Sequence, residues 1–260
     1  MTASDGEVRL TREGPVAKVI FDRPQSRNAM TWRMYEQLGE ICAELRGDPA
    51  LRVAVFRGAG GKAFVAGTDI AQFLEFTSGE DGLAYEARME AYLGALESLP
   101  MPTLAVVEGW AIGGGLAIAA CCDLRIATPG SRFGVPIART LGNCLSVANT
   151  ARLVAALGVA RAKRILLMAE MIGAEEALAG GFVAELVEPA DIDRRIAELC
   201  DRLVHNAPVT MRVAKETIRR LLHAGLPPDD DLVRACYGSA DFHEGVRAFV
   251  EKRDPQWTGR

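Results

Sequence analysis

Two glycine-rich stretches carry the residue types whose spacing suits chemistry. In Glu108-Gly109-Trp110-Ala111-Ile112-Gly113-Gly114-Gly115-Leu116-Ala117, an apolar run from Thr103 to Val107 leads into three consecutive glycines and then a small-residue helical run. A helix start carries unpaired N–H groups and the positive end of the macrodipole, and glycines let an oxygen come close to them. An anion, or a group becoming anionic, fits there. The same glycines also serve plain tight packing of the helix, and the stretch alone leaves both readings open. The second stretch is Arg57-Gly58-Ala59-Gly60-Gly61-Lys62-Ala63-Phe64-Val65-Ala66-Gly67-Thr68-Asp69-Ile70. It imitates a phosphate loop, but Phe56 stands where the first glycine belongs and Ala63 where the Mg²⁺-binding hydroxyl belongs. It imitates a dinucleotide fingerprint, but the chain runs on extended through Phe64-Val65 instead of opening a helix.

Other chemistries lack their parts. The cysteines, at 42, 121, 122, 144, 200 and 236, have no metal-ligand spacing and sit among apolar neighbours, so buried thiols are expected and no metal. His205, His223 and His243 all lie in the last quarter, far in sequence from the glycine-rich half, and no G-x-S-x-G occurs. A net charge of −4 with no dense basic face speaks against a nucleic-acid partner. No apolar run reaches the roughly 18 residues of a membrane span. The segment Met1–Glu7 is polar and acidic, without the apolar stretch of a signal peptide, which points to the cytoplasm.

The elements that must position the glycine loops repeat a theme. Strands are predicted over Glu7–Thr11 and Val16–Phe21, then a helix capped by Thr31 with Met34, Leu38, Ile41 and Leu45 on one face. A strand at Val53–Phe56 precedes the second glycine loop, where Thr68 or Asp69 would cap a short helix. Ser78–Gly82 reads as an exposed break before a helix over Ala84–Leu99 bearing Met89, Leu93 and Leu96. Short strands at Asp123–Ala127 and Arg132–Gly134 follow, then an irregular segment, Pro136–Asn149. The order of strands, turn and helix recurs three times, an α/β chain wound as successive β-β-α units. From Asp191 onward the pattern is helical, and that block must pack on its own body or on another subunit. A core over 1–200 and a C-terminal helical oligomerisation subdomain over 201–260 are expected.

Phe64-Val65-Ala66-Gly67-Thr68-Asp69-Ile70, Gly109-Trp110-Ala111-Ile112-Gly113-Gly114-Gly115, Cys122-Asp123-Leu124-Arg125-Ile126-Ala127, Phe133-Gly134-Val135-Pro136 and Ala248-Phe249-Val250-Glu251-Lys252-Arg253 stand in the order and approximate spacing of the crotonase superfamily. The chain resembles these enoyl-CoA hydratase/isomerase proteins over essentially its whole length. The resemblance implies a spiral of β-β-α turns with a C-terminal helical subdomain, assembled as a homotrimer or dimer of trimers. It implies an acyl-CoA substrate, with coenzyme A as part of that substrate and no tightly bound cofactor. It places the thioester oxygen between two backbone amides, here matched to Ala66 and Gly114. It places Phe249 and Lys252 at the CoA of a neighbouring subunit; Gly67 and Thr68 of the glycine loop, with Arg27 and Lys62 for the phosphates, complete the expected CoA contacts. Arg27 and Lys62 are equally well read as solvated surface charge.

The resemblance breaks at the acid–base groups. A hydratase of this family carries one carboxylate three residues after the middle glycine and another just after Phe-Gly-x-Pro; this chain has Ala117 and Ile137. Neither moves a proton, so ordinary hydration is doubtful. The polar candidates left near the acyl pocket are Asp69, Arg139, Thr140, Asn143, Cys144, Ser146 and Asn149. Asp69 is a helix cap or a catalytic group, Arg139 a carboxylate clamp or a subunit salt bridge, and Cys144 a nucleophile or a packed thiol. The expected function is enolate stabilisation on an acyl-CoA. The alternatives are a non-catalytic acyl-CoA-binding protein and a hydrolase or decarboxylase on the same fold.

Overall fold

The computed structural model describes residues 6–260, so Met1–Asp5 of the polar N-terminal segment lie outside the described residues. Strands β1 (Glu7–Glu13) and β2 (Val16–Asp22) form an antiparallel hairpin, and α1 (Trp32–Gly47) follows. The Thr31 side chain accepts from Met34 N–H and caps α1, whose buried face carries Met34, Leu38, Ile41 and Leu45. Thereafter each winding lays down two strands. They are β3 (Val53–Gly58) and β4 (Ala63–Val65), β5 (Thr103–Val107) and β6 (Trp110–Ile112), then β7 (Leu124–Ala127) and β8 (Arg132–Gly134). The helices between windings are α2 (Gly79–Glu97) and α3 (Gly114–Cys121). After β8 come α4 (Ile137–Thr140), α5 (Val147–Leu157), α6 (Val159–Leu167), β9 (Ile172–Gly173), α7 (Ala174–Ala179) and β10 (Glu185–Leu186). Four helices end the chain: α8 (Ile192–His205), α9 (Pro208–His223), α10 (Asp230–Tyr237) and α11 (Ala240–Glu251).

The first strand of each winding joins one sheet, ordered β1-β2-β3-β5-β7-β10, and the second joins another, ordered β4-β6-β8-β9. Neighbours β3, β5 and β7 are parallel, as are β4, β6 and β8, so the chain advances one strand per winding in both sheets at once. β5 is buried at every residue, as an apolar run in a parallel sheet covered on both faces must be. No helix among the described residues is long and apolar enough to cross a membrane.

Two expectations need correction. Ser78–Gly82 is not an exposed break: it is the start of α2, where the Asp81 carboxylate accepts from Thr77 N–H at 2.8 Å and Ser78 N–H at 2.9 Å. Gly79 and Gly82 are buried because α10 lies on them; a Cβ at Gly82 would stand 2.2 Å from Tyr237 Cγ. A division at 200/201 would cut α8, which is continuous from Ile192 to His205. The C-terminal helices pack on their own chain. Phe242 of α11 meets Phe73 and Phe76 with ring centroids 6.0 Å away from each, and Lys215 of α9 reaches the Asp123 carboxylate at 2.7 Å.

Candidate active site

A cavity of about 500 Å³ opens between α1, the 66–70 loop, α2, the start of α3 and the segment after β8. Strands β4 and β6 deliver two backbone turns to it side by side. A Cβ on Gly115 would lie 1.9 Å from the Val65 carbonyl oxygen, so only glycine lets α3 begin against β4. Gly113 turns the chain at φ 53°, and its N–H donates to Gly134 O at 2.9 Å.

The loop's own hydrogen bonds decide which amide is open. Ala66 N–H donates to Arg27 O at 3.1 Å, Met30 N–H to Gly67 O at 2.8 Å, and Asp69 N–H to Met30 O at 2.8 Å. Ala66 is therefore not an available donor, which corrects the expectation. Thr68 N–H, two residues on, has no acceptor among the described residues, and neither has Gly114 N–H at the first turn of α3. Thr68 and Gly114 both line the cavity and are neighbours: a Cβ on Gly114 would stand 3.3 Å from Thr68 Oγ1. The arrangement offers two preset dipoles for one oxygen.

Neutral hydroxyls surround this point. Tyr35 Oη lies 2.9 Å from Thr68 Oγ1, and Tyr85 Oη is 3.5 Å from the same atom. Burial pushes the Tyr35 hydroxyl up to about 12 and Tyr85 well above its ordinary value, so both stay protonated. The next residue along α2, Glu86, is the carboxylate that reasoning from sequence missed. It lines the cavity at 6 % exposure. Its oxygens accept from Tyr237 O–H at 2.8 Å and from Ser146 N–H at 3.1 Å. Burial raises its pKa above the ordinary glutamate value, outweighing those two hydrogen bonds, which favour the anion. Asn143 Nδ2 donates to Tyr237 Oη at 3.3 Å, while Asn143 Oδ1 is buried with no partner among the described residues.

A buried charge cluster fixes α2 one turn beyond Glu86. The Arg152 guanidinium of α5 holds both Glu90 oxygens at 2.6 Å and Glu97 Oε2 at 3.0 and 3.1 Å, and His223 meets Glu97 at 2.8 Å. Forked pairs of this kind set the relative placement of two helices as well as their attraction.

The other expected residues divide clearly. Thr140, Asn143, Cys144 and Asn149 line the cavity, as do Gly67, Arg27 and Phe249. Asp69 lines it too, but its carboxylate is held by Arg23 at 2.8 Å and caps Ala71 N–H, so it is structural. Ser146 is the N-cap of α5, accepting from Asn149 N–H, and does not line the cavity. Arg139 is exposed on α4 and does not line the cavity. The Cys144 thiol is held above its ordinary value by its hydrogen bond with Cys236 and by burial, as suits a packed thiol. Lys62 and Lys252 are exposed and outside the cavity. Phe249 was expected at a neighbour's CoA; it lines this chain's own cavity because α11 folds back over it. All six cysteines are free thiols, four of them buried, and no cluster of His, Cys, Asp and Glu among the described residues suits a metal ion.

Comparison with known proteins bears on what such a site serves. The family described as enoyl-CoA hydratase/isomerase matches residues 11–260. The chain belongs to the enoyl-CoA hydratase/isomerase family. A short-chain-enoyl-CoA hydratase of Clostridium acetobutylicum is 33% identical over 250 residues, spanning 95% of each chain. An (E)-benzylidenesuccinyl-CoA hydratase of Thauera aromatica is 33% identical over 267 residues, spanning 97% of this chain and 99% of the relative. Among solved structures, methylmalonyl-CoA decarboxylase in complex with 2-nitronate-propionyl-CoA superposes with a TM-score of 0.88 at 28% identity, covering 97% of this chain and 98% of that one. In this family member, Ala117 and Ile137 both line the cavity. The positions matched to the usual carboxylates are thus at the site and carry no titratable group.

Proposed function

We propose that this chain is an enzyme that binds an acyl-CoA thioester and stabilises its enolate, with the thioester oxygen accepting from Thr68 N–H and Gly114 N–H. The observation that carries the proposal is that these two neighbouring amides at one apolar cavity have no acceptor among the described residues. Enolate charge on the oxygen meets dipoles that need no reorganisation. The hydratases among its relatives act on CoA thioesters by their names, which supports the substrate class. Phe73, Met89, Leu93 and Leu145 wall the cavity, so an uncharged, apolar acyl group fits best. Arg27 lines the same cavity and is the cation available to the CoA phosphates. Its guanidinium lies 6.0 Å from the Trp110 ring centroid. A homotrimer or dimer of trimers remains the proposed assembly.

Decarboxylation is a second reading, favoured by the 0.88 TM-score to a decarboxylase. Loss of CO₂ from a carboxyacyl-CoA leaves its electron pair in the same enolate and requires no base. Calorimetric titration with butyryl-CoA and with free butyrate tests the shared premise. Micromolar binding of the thioester alone supports it, and absence of binding by both refutes it. Loss of enoyl absorbance from crotonyl-CoA and CO₂ release from methylmalonyl-CoA then separate hydration from decarboxylation. Thioester binding with no consumption of either, and no exchange of acyl protons with solvent, would mark a binding protein.

A further inference from the structure

Glu86 has no counterpart in the acid–base positions expected of the chain. It comes from α2, whereas Ala117 belongs to α3 and Ile137 opens α4. All three line one cavity with Thr68 and Gly114, so with Ala117 and Ile137 at the other two positions Glu86 is, among the described residues, the carboxyl lining it that is not tied up in an ion pair. Its surroundings are built for a proton to come and go. Burial favours the acid, while Tyr237 O–H and Ser146 N–H stand ready at 2.8 and 3.1 Å for the carboxylate. The Tyr237 oxygen is itself held by Asn143 at 3.3 Å, and α10 reaches this position because Gly79 and Gly82 admit it against α2. Asn143, a residue of the cavity wall, also has its buried Oδ1 unmatched.

We infer that Glu86 is the group that transfers the proton between solvent-exchangeable sites and the acyl carbon next to the thioester. The inference rests on the enolate reading above. In the forward step the enolate's electron pair forms the new C–H bond with the Glu86 proton. The thioester C=O re-forms, and the carboxylate left behind accepts from Tyr237 and Ser146. In reverse, Glu86 takes the α-proton and the C–H pair flows back to the oxygen at Thr68 and Gly114. Tyr237 is then a positioning residue acting through Glu86.

The test is incorporation of solvent deuterium at the α-carbon of butyryl-CoA in D₂O, read by mass spectrometry beside calorimetric binding of the same thioester. Glu86→Gln can be accommodated by reversing the Tyr237 hydroxyl. It should bind butyryl-CoA within about threefold of the parent and lose exchange by on the order of 10²-fold or more. Exchange within threefold of the parent overturns the inference. Should Glu86→Gln fail to fold, Tyr237→Phe retains the carboxyl and removes one donor to its anion; exchange should drop about tenfold with binding retained. An unchanged exchange rate in that variant is equally contrary. A parent that binds butyryl-CoA but exchanges nothing removes the role of Glu86 and leaves thioester binding standing; a parent that binds no thioester removes the enolate reading first.

Discussion

A methyl group at Gly114 measures how closely the start of α3 and the Tyr35 hydroxyl share space. An ideal Cβ there lies 2.3 Å from Tyr35 Oη, 3.3 Å from Thr68 Oγ1 and 3.7 Å from Tyr35 Cζ. The hydroxyl would have to retreat by about 1 Å to reach ordinary contact. Tyr35 has little room: it is 1% exposed, stacked on Tyr92 at 6.2 Å, and bonded to Thr68 at 2.9 Å. Overpacking of this kind costs about 1–3 kcal/mol, against which the better helix propensity of alanine returns at most about 1 kcal/mol. Tyr35→Phe alone gives up a hydrogen bond worth about 1 kcal/mol. In combination with Gly114→Ala it removes the clashing oxygen and leaves the ring carbon in ordinary contact. Urea unfolding of the parent, both single variants and the double variant should therefore show a favourable coupling of about 1–2 kcal/mol. Because the clash displaces Thr68, Gly114→Ala should also weaken butyryl-CoA binding, and Tyr35→Phe should restore part of it. Additivity within about 0.5 kcal/mol would refute the geometry.

Glu86 gives a pH signature. Its folded pKa is raised above an unfolded value near 4.5, so its favourable contribution is complete below that value and is lost as pH rises through the folded pKa. The stability of Glu86→Gln relative to the parent should grow from about pH 4.5 upward and then level off, a tenfold difference in proton affinity between folded and unfolded chains being worth about 1.4 kcal/mol. Of the groups facing Glu86, Asp229 is present in both proteins; burial holds Tyr85 and Tyr237 above their ordinary values, and the Cys236 hydrogen bond with burial does so for Cys144, so a difference that stays flat with pH would contradict the assignment. Cys144→Ser should keep turnover within about threefold, and the parent thiol should react with iodoacetamide more slowly than free cysteine, whose pKa is about 8.5. Gly82→Ala would drive a methyl into Tyr237, so limited proteolysis should find α10 and α11 opened at temperatures where the parent resists.

Local signals in the sequence carried the windings well. Thr31 caps its helix, Met89, Leu93 and Leu96 are buried on α2, and the triple glycine does begin a helix at a strand end. What depended on distant pairing was not readable. The spacing of the second glycine loop could not tell that Arg27 O would take the Ala66 amide and leave Thr68 open, because that bond joins two loops across the hairpin's exit. Nor could it tell that α11 returns to its own cavity and brings Phe249 there. Two misses did have a signal. Ser78 with Asp81 three residues on is a capping pattern, and Glu86 falls three residues before Met89 on the same stripe, an ionisable group on an apolar face.

Everything proposed for the chemistry turns on the thioester oxygen sitting between Thr68 N–H and Gly114 N–H. Isotope-edited difference infrared spectroscopy of [1-¹³C]butyryl-CoA bound to the protein tests it most directly. Two amide donors polarise the carbonyl, so its stretch should move to lower wavenumber on binding, with the shift reduced in Gly114→Ala. A saturably bound thioester whose carbonyl stretch is unmoved from its value in water would contradict it.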